Sequence, residues 1–336
     1  MADSLLVAAA VIVVGTALIW LGSGWLETAS QRLAVSYDLP PVVQGSIIAA
    51  AGSSFPELAS VVFAALAGSF DLGVGAVVGS AVFNILVIPS LSVLMGSGQI
   101  DSTRTLVHKE TLFYLLSILT LLLTFALALI YNPAEGALSG SVTRSFALLP
   151  LAVYGLYLFL QWQDTTEYAG RAETDDGDVR KQWALLLAGL ALILVAVERL
   201  VDAVIEIGAA AGTPEFLLGA IIVAAATSLP DALVSIRAAD NQRDVASVSN
   251  VLGSNIFDLL VVIPVGILLT GTASVDLAIT APMMGCLAAV TVIFFVALRT
   301  ELALSHWEAY LLLGSYGLFV AWVAAEAFAV VDALPG

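Results

Sequence analysis

Residues 45–57 read GSIIAAAGSSFPE and residues 219–231 read GAIIVAAATSLPD. One shift of 174 positions superposes them without a gap, and seven of the 13 positions are identical. The same shift lays Gly79-Ser80-Ala81-Val82-Phe83-Asn84 on Gly253-Ser254-Asn255-Ile256-Phe257-Asp258. Ala and Ile matches come cheaply in an apolar chain. Pro, Gly, Ser and carboxylate matches at one constant offset do not, and they mark an internal repeat.

Around these motifs the chain is strongly apolar. Of 336 residues 60% are hydrophobic and only 11% charged, and the mean hydropathy is +1.02. Soluble domains run near half apolar and a quarter charged, so a soluble enzyme, a disordered chain and a fibre are all excluded. A transmembrane helix needs ~20 apolar residues. Runs bounded by charge, Gly and Pro fall near Leu5–Leu26, Val42–Ala67, Leu72–Met95, Thr111–Tyr131, Phe146–Trp162, Trp183–Ile205, Phe216–Ala238, Ala246–Leu269, Leu277–Leu298 and Trp307–Val330. The expectation is an all-α integral membrane protein of ten transmembrane helices.

The organisation follows: a first five-helix repeat over 1–163 with its motif at 45–96, an acidic linker over 164–182, and a second five-helix repeat over 183–336 with its motif at 219–271. Five spans is an odd number, so the second copy enters the membrane from the opposite side. Inverted-topology repeats with a site at the midplane are a transporter plan. Alternating access needs that symmetry; a channel or an enzyme does not.

Eleven Lys and Arg against 27 Asp and Glu give a net charge of −16. That balance argues against nucleic acid and against a polybasic membrane anchor, and an acidic surface suits a high-salt organism. With the N-terminus outside, Arg32, Arg104, Lys109, Arg171, Arg180, Lys181, Arg237, Arg243 and Arg299 face inward, and only Arg144 and Arg199 face out. The positive-inside rule therefore places both termini outside and the linker, with its acidic cluster of Asp164, Glu167, Glu173, Asp175, Asp176 and Asp178, in the cytoplasm. Met1-Ala2-Asp3-Ser4 has no positive stretch ahead of the first apolar run, which reads as a retained span. The single Cys286 rules out an internal disulfide and reads as a small hydrophobe.

The chemistry lies in the polar atoms placed inside apolar helices. Glu57 and Asp231 each follow a proline at mid-span, and Asp258 stands where the first half has Asn84. A carboxylate at the bilayer centre costs ~2.5–3.5 kcal/mol, so three left charged and alone cost roughly 8–10 kcal/mol. No Lys or Arg lies in these helical middles; Arg237, six residues beyond Asp231, sits roughly 9 Å further along a helix. Either the empty carboxyls are protonated or a cation from solution compensates them, and both readings make an ion site.

Pro56 and Pro230 lack an N–H, so the carbonyls of Gly52 and Ala226 lose their helical donors. Broken helices at both prolines are expected, with the carbonyls of Ala50 and Ala224 nearby. Such irregular backbone at membrane depth is tolerated only where it lines a cavity or is buried in protein. Ser53, Ser54, Thr227 and Ser228 add hydroxyls just before the carboxylates, and Ser80 and Ser254 add two more. Gly45, Gly79, Gly219 and Gly253 admit close helix approach. An all-oxygen shell suits hard cations such as Ca2+ and Na+. The absence of Cys and His from it argues against zinc and copper; His108 and His306 fall near the interfaces, and Glu198, Asp202, Glu206 and Glu326 toward span ends.

These residues, GSSFPE at 52–57 with GSAVFN at 79–84 and ATSLPD at 226–231 with GSNIFD at 253–258, resemble the two repeats of the cation/calcium exchanger superfamily, nearest its prokaryotic sodium/calcium exchanger branch. The resemblance implies a cell-membrane antiporter, not an enzyme, without cofactor and acting as a monomer. It implies Glu57 and Asp231 as the central Ca2+ carboxylates, closed into a diamond by Asn84 and Asp258. It implies Thr227 and Ser53, with the carbonyls of Ala50 and Ala224, at the calcium and flanking sodium sites, and Ser54, Ser228, Ser80 and Ser254 completing sodium coordination. Ser53, Ala226 and Ala81 depart from the commoner Thr, Gly and Asn of that pattern.

Ca2+/H+ exchange, K+-dependent Na+/Ca2+ exchange and a passive cation channel remain alternatives at this point. An intramembrane hydrolase using Glu57 and Asp231 as an acid pair lacks a Gly-x-Gly-Asp signature. The orientation has a direct test. In a Cys286→Ala background, Asp175→Cys should react with a membrane-impermeant maleimide only when the cytoplasmic face is opened; labelling of intact cells would reverse the topology.

Overall fold

The computed structural model describes residues 2–37, 50–96, 98–104, 106–134, 138–165, 178–240 and 244–327. Gly45, Arg171, Arg243 and all of the linker's acidic cluster but Asp164 and Asp178 lie outside them. The described chain is almost entirely helical. Its first half holds α1 (Ala2–Ser36), α2 (Ala50–Ser53), α3 (Phe55–Leu66), α4 (Phe70–Leu86), α5 (Ile88–Met95), α6 (Thr111–Tyr131) and α7 (Arg144–Thr165). The second holds α8 (Val179–Ala211), α9 (Glu215–Leu218), α10 (Ala224–Asp240), α11 (Asp244–Phe257), α12 (Ile263–Thr270), α13 (Leu277–Arg299) and α14 (His306–Ala327).

Nine helical stretches among the described residues are long and apolar enough to cross a membrane. They match nine of the ten expected spans. The remaining one, Val42–Ala67, is described only as α2 and α3, since 42–49 lie outside the described residues. Several helices overrun the sequence estimate. α1 continues ten residues beyond Leu26, and α7 and α8 extend into the 164–182 linker.

Four short strands at the helix ends add to the expected helical fold: β1 (Gln99–Asp101), β2 (Ser139–Thr143), β3 (Thr272–Asp276) and β4 (Ala303–Ser305). Their pairing carries the symmetry. β1 pairs antiparallel with β4, and β2 with β3. Exchanging the two halves turns one pair into the other, because β1 and β3 both follow a split span and β2 and β4 both precede the last span of a half. A membrane-length helix, α6 or α13, separates the strands of each half, so the two sheets cap opposite ends of the bundle. Gly98 and Gly271, at φ +87° and +93°, turn the chain into β1 and β3 with a backbone that favours glycine.

Helix crossings show the same inversion. Gly15 faces Ala196 and Leu200, while Gly22 faces Gly189 and Ile193. Partners descend along α8 as residues ascend along α1, so these two counterpart helices run antiparallel, as oppositely inserted repeats require. Near the centre, a Cβ on Gly75 would run into the Phe216 carbonyl, one on Gly79 into that of Ala220, and one on Gly219 into that of Leu72. In lipid, van der Waals contact between closely approached backbones replaces the hydrophobic effect as the driving force for helix association. Gly79 and Gly219 thus serve as the sequence suggested, Gly75 adds a contact it did not, and Gly253 has open space beside it.

Carbonyl oxygens cannot rotate out of the way as side chains do, so overpacking here separates the helices. Gly79→Ala should cost about 1–3 kcal/mol or more and lower the thermal unfolding midpoint. Gly155→Ala, which meets no atom within 4 Å, should leave it unchanged or raise it.

Candidate ion-binding site

Where α4, α10 and α11 pass α3, the repeated motifs come together. The chain breaks at Ser54 between α2 and α3, and Pro56 occupies the first turn of α3. That position satisfies the proline's missing donor and puts Glu57 in the first turn, where the helix dipole favours negative charge. The second half differs from expectation. α10 runs unbroken through Pro230, and the irregularity sits upstream as a π-helical turn over Gly219–Val223. The π turn ends at Val223, ahead of the Ala226 carbonyl that Pro230 leaves without a helical donor. A second π turn, Asp258–Val262, starts at Asp258 itself; such turns recur at functional sites.

Glu57, Asp231, Asp258 and Asn84 are wholly buried, as are Ser54, Ser80, Thr227 and Ser228, with Ser53 and Ser254 nearly so. Contacts run both within and between repeats. The Ser80 hydroxyl donates to Glu57 Oε1 at 3.4 Å, and the Ser228 hydroxyl donates to Ser80 Oγ at 2.7 Å. Asn84 Nδ2 donates to Asp231 Oδ2 at 3.0 Å and to Asn255 Oδ1 at 3.0 Å. Ser53 and Ser254 stand beside Asp231, and Thr227 beside Glu57. Ser54 stands beside Asp258.

Two expected ligands are only partly placed. Ala224 opens α10, and its carbonyl accepts the Thr227 hydroxyl at 3.4 Å, shared with that of Val223 at 3.1 Å. Ala50 opens α2, which packs against α1 and α11.

The electrostatics are unbalanced. Glu57 feels the charges of Asp258 and Asp231, and Asp258 that of Asp231. Glu57 Oε2, Asp231 Oδ1, both oxygens of Asp258, Asn84 Oδ1 and Ser54 Oγ have no hydrogen-bond partner among the described residues. The ion pairs found there, Lys109–Glu110 and Arg199–Asp202, lie elsewhere. Among the described residues no three His, Cys, Asp or Glu side chains converge on one point, so the carboxylates are interleaved with amides and hydroxyls rather than gathered into one acidic claw. His108 and His306 are exposed, as the sequence suggested.

Asn255 also belongs to the site. Asn255 Nδ2 donates to the Ala81 carbonyl at 3.1 Å and to the Tyr114 hydroxyl at 3.3 Å, while its oxygen accepts from Asn84. The available signal was Ala81, its counterpart at offset 174: one asparagine spans both halves where the repeat pattern has two.

The model of the family described as sodium/calcium exchanger protein matches residues 7–163 and 181–325. The chain belongs to the sodium/calcium exchanger family. Among this exchanger's relatives, an uncharacterized membrane protein of Methanocaldococcus jannaschii is 26% identical over 91% of this chain and 95% of its own. The putative antiporter CaxA of Alkalimonas amylolytica is 32% identical over 78% and 81%. Of solved structures, the sodium-calcium exchanger NCX_Mj soaked with Na+ and Sr2+ has TM-score 0.62 at 23% identity, covering 94% of this chain and 98% of that one. The H+/Ca2+ exchanger CAX has TM-score 0.69 at 19% identity, covering 96% and 88%. Both structures share the fold of this family member.

Removing the Asn255 amide from the exchanger leaves a buried carbonyl and a tyrosine hydroxyl short of a partner. Asn255→Leu should destabilise it by about 1–3 kcal/mol, read as a lower thermal midpoint in detergent.

Proposed function

We propose that the chain is a secondary antiporter that carries Ca2+ out of the cell against an inward flow of Na+, binding both ions by turns between its two halves. One observation carries this reading: three wholly buried carboxylates, drawn from both repeats, with unpartnered oxygens and no basic side chain paired with them among the described residues. Burying an uncompensated charge is expensive, and a mobile cation is the compensation that also gives the protein work to do.

In this reading Glu57 and Asp231 hold Ca2+ from opposite repeats, and Asn84 and Asp258 close the set. Ser53, Ser54, Thr227, Ser228, Ser80 and Ser254, with the carbonyls of Ala50 and Ala224, provide neutral oxygens for Ca2+ and Na+. Neutral ligands matter because Na+ carries half the charge of Ca2+ and needs an oxygen cage with less negative charge. Overlapping ligands make the two ions compete, and a carrier with its carboxylates neutralised crosses between states more cheaply than an empty one. The protein sits in the cell membrane with both termini outward, acting as a monomer of two repeats joined by the acidic linker.

A second reading, Ca2+/H+ exchange, has specific support in the likeness to CaxA and to the H+/Ca2+ exchanger CAX. There the same carboxylates exchange Ca2+ for protons. K+ coupling is a further variant of the same site.

Ion replacement separates these. Proteoliposomes loaded with Na+ should accumulate 45Ca2+ when external Na+ is removed, with no K+ requirement, and a pH gradient alone should drive none; the converse assigns proton exchange. Glu57→Gln should weaken Ca2+ transport by about thirtyfold or more, the loss of one charged ligand at roughly 2 kcal/mol. Normal flux in that variant would remove Glu57 from the ion's shell.

A further inference from the structure

A second group of carboxylates lies apart from the midplane set, at the end of the bundle where α4, α9 and α13 begin. Asp71, Glu215 and Asp276 line a cavity of about 240 Å3 together with Phe216 and Thr280. At ~30 Å3 per water this holds roughly eight water volumes, room for an ion with its first hydration shell. Among the described residues no Lys or Arg lines it. Arg144, at the same end, is turned away, its Nε donating to the Leu268 carbonyl at 2.9 Å.

Thr280 adds an unsatisfied hydroxyl to the cavity wall. Thr120, Thr124 and Thr291 each return their hydroxyl to the carbonyl four residues back. Thr280 does not: its Oγ1 is wholly buried and without a partner among the described residues. Such an atom is costly unless something from the cavity meets it.

The position is suited to delivery. Phe216, in the cavity wall, packs its carbonyl against Gly75 on α4. Nine residues along the unbroken α4 separate Asp71 from Ser80, about 13 Å of helix, and Ser80 touches Glu57. A repeat-related pair stands at the opposite end. Asp71 accepts from the Asp276 N–H at 3.4 Å, and Asp244 from the Asp101 N–H at 3.0 Å. Each mouth of the bundle thus carries a carboxylate on the first turn of a central helix, facing the end of a short strand.

We propose that Asp71, Glu215, Asp276 and Thr280 form a binding site for a hydrated divalent cation, distinct from the midplane site, which collects the ion and passes it to Glu57 and Asp231. The second half of that statement rests on the antiporter reading; the first does not. Because no three carboxylates converge on one point among the described residues, the ion is held through its water shell. A water-mediated site of this kind is weak and salt-sensitive, as a collecting site must be to release its ion inward.

Mn2+ is the probe. The purified full chain carrying Glu57→Gln and Asp231→Asn should still bind one class of Mn2+ by electron paramagnetic resonance at low ionic strength. Adding Asp71→Asn should weaken that class about tenfold, and Thr280→Val about threefold. In the otherwise native chain in liposomes, Asp71→Asn should raise KM for Ca2+ about three- to tenfold from the side of this mouth only, with kcat unchanged and a flatter dependence on ionic strength. Glu215→Gln serves if Asp71→Asn shifts the elution volume or thermal midpoint. Absence of bound Mn2+ in the midplane double variant, or binding indifferent to Asp71 and Glu215, overturns the site. A fall in kcat at constant KM overturns delivery. Normal flux in Glu57→Gln alone would instead sink the antiporter reading, leaving the Mn2+ result to decide the cavity.

Discussion

A carboxylate removed from water must find a positive charge, a set of donors or a proton, and the centre of this protein offers its three acids too few of the first two. Asn84 and Ser80 each serve one oxygen of Asp231 and Glu57, and Asp258 is served by neither. Much of the architecture is legible as the means of holding such a group together. Glycines bring α4 against the turn that leads into α10, closely enough for Asn84 and Ser80 to reach across. The helix break at Ser54 places Glu57 on a fresh helix start, and the π turns before Thr227 and at Asp258 re-aim two more polar residues.

The same constraint explains why the site is built from two halves. An ion that must be taken up at one face and released at the other needs two routes of similar energy, and inverted repeats provide them from one design. The strand pairs at opposite ends tie one half to the other at both faces, and the antiparallel α1 and α8 pack on the flank of the central helices. The halves are not identical at the centre, however. Asn84 faces Asp231 as a donor to an acceptor, whereas the mirrored positions, Asp258 and Glu57, are two acceptors. That broken symmetry is where the unbalanced charge resides.

Most of the fold, and the two motifs that meet at its centre, could be read from the residues. Constant-offset matches in Pro, Gly and carboxylate survive drift because each answers a backbone or charge requirement in both copies, and an odd number of apolar runs per copy forces inversion. Asn255 and Gly75 are illegible in the sequence for a related reason. Their partners, the Ala81 carbonyl with the Tyr114 hydroxyl and the Phe216 carbonyl, lie far along the chain, and a lone asparagine or glycine carries no periodic signal. The unbroken path of α10 through Pro230 is illegible for another reason: whether a proline breaks a helix depends on the packing around it, which local pattern does not encode.

Sequence alone determined that this is a ten-span membrane protein of two inverted copies with acids at its centre, since hydropathy, parity and repetition are local or countable properties. Tertiary structure decided which oxygens are satisfied, which crossing distances demand glycine, and where a second acidic cavity opens at the mouth of the bundle. Those depend on the spatial meeting of residues such as Asp71, Glu215 and Asp276, more than 200 positions apart at their extremes, and on hydrogen bonds whose presence or absence only packing can settle.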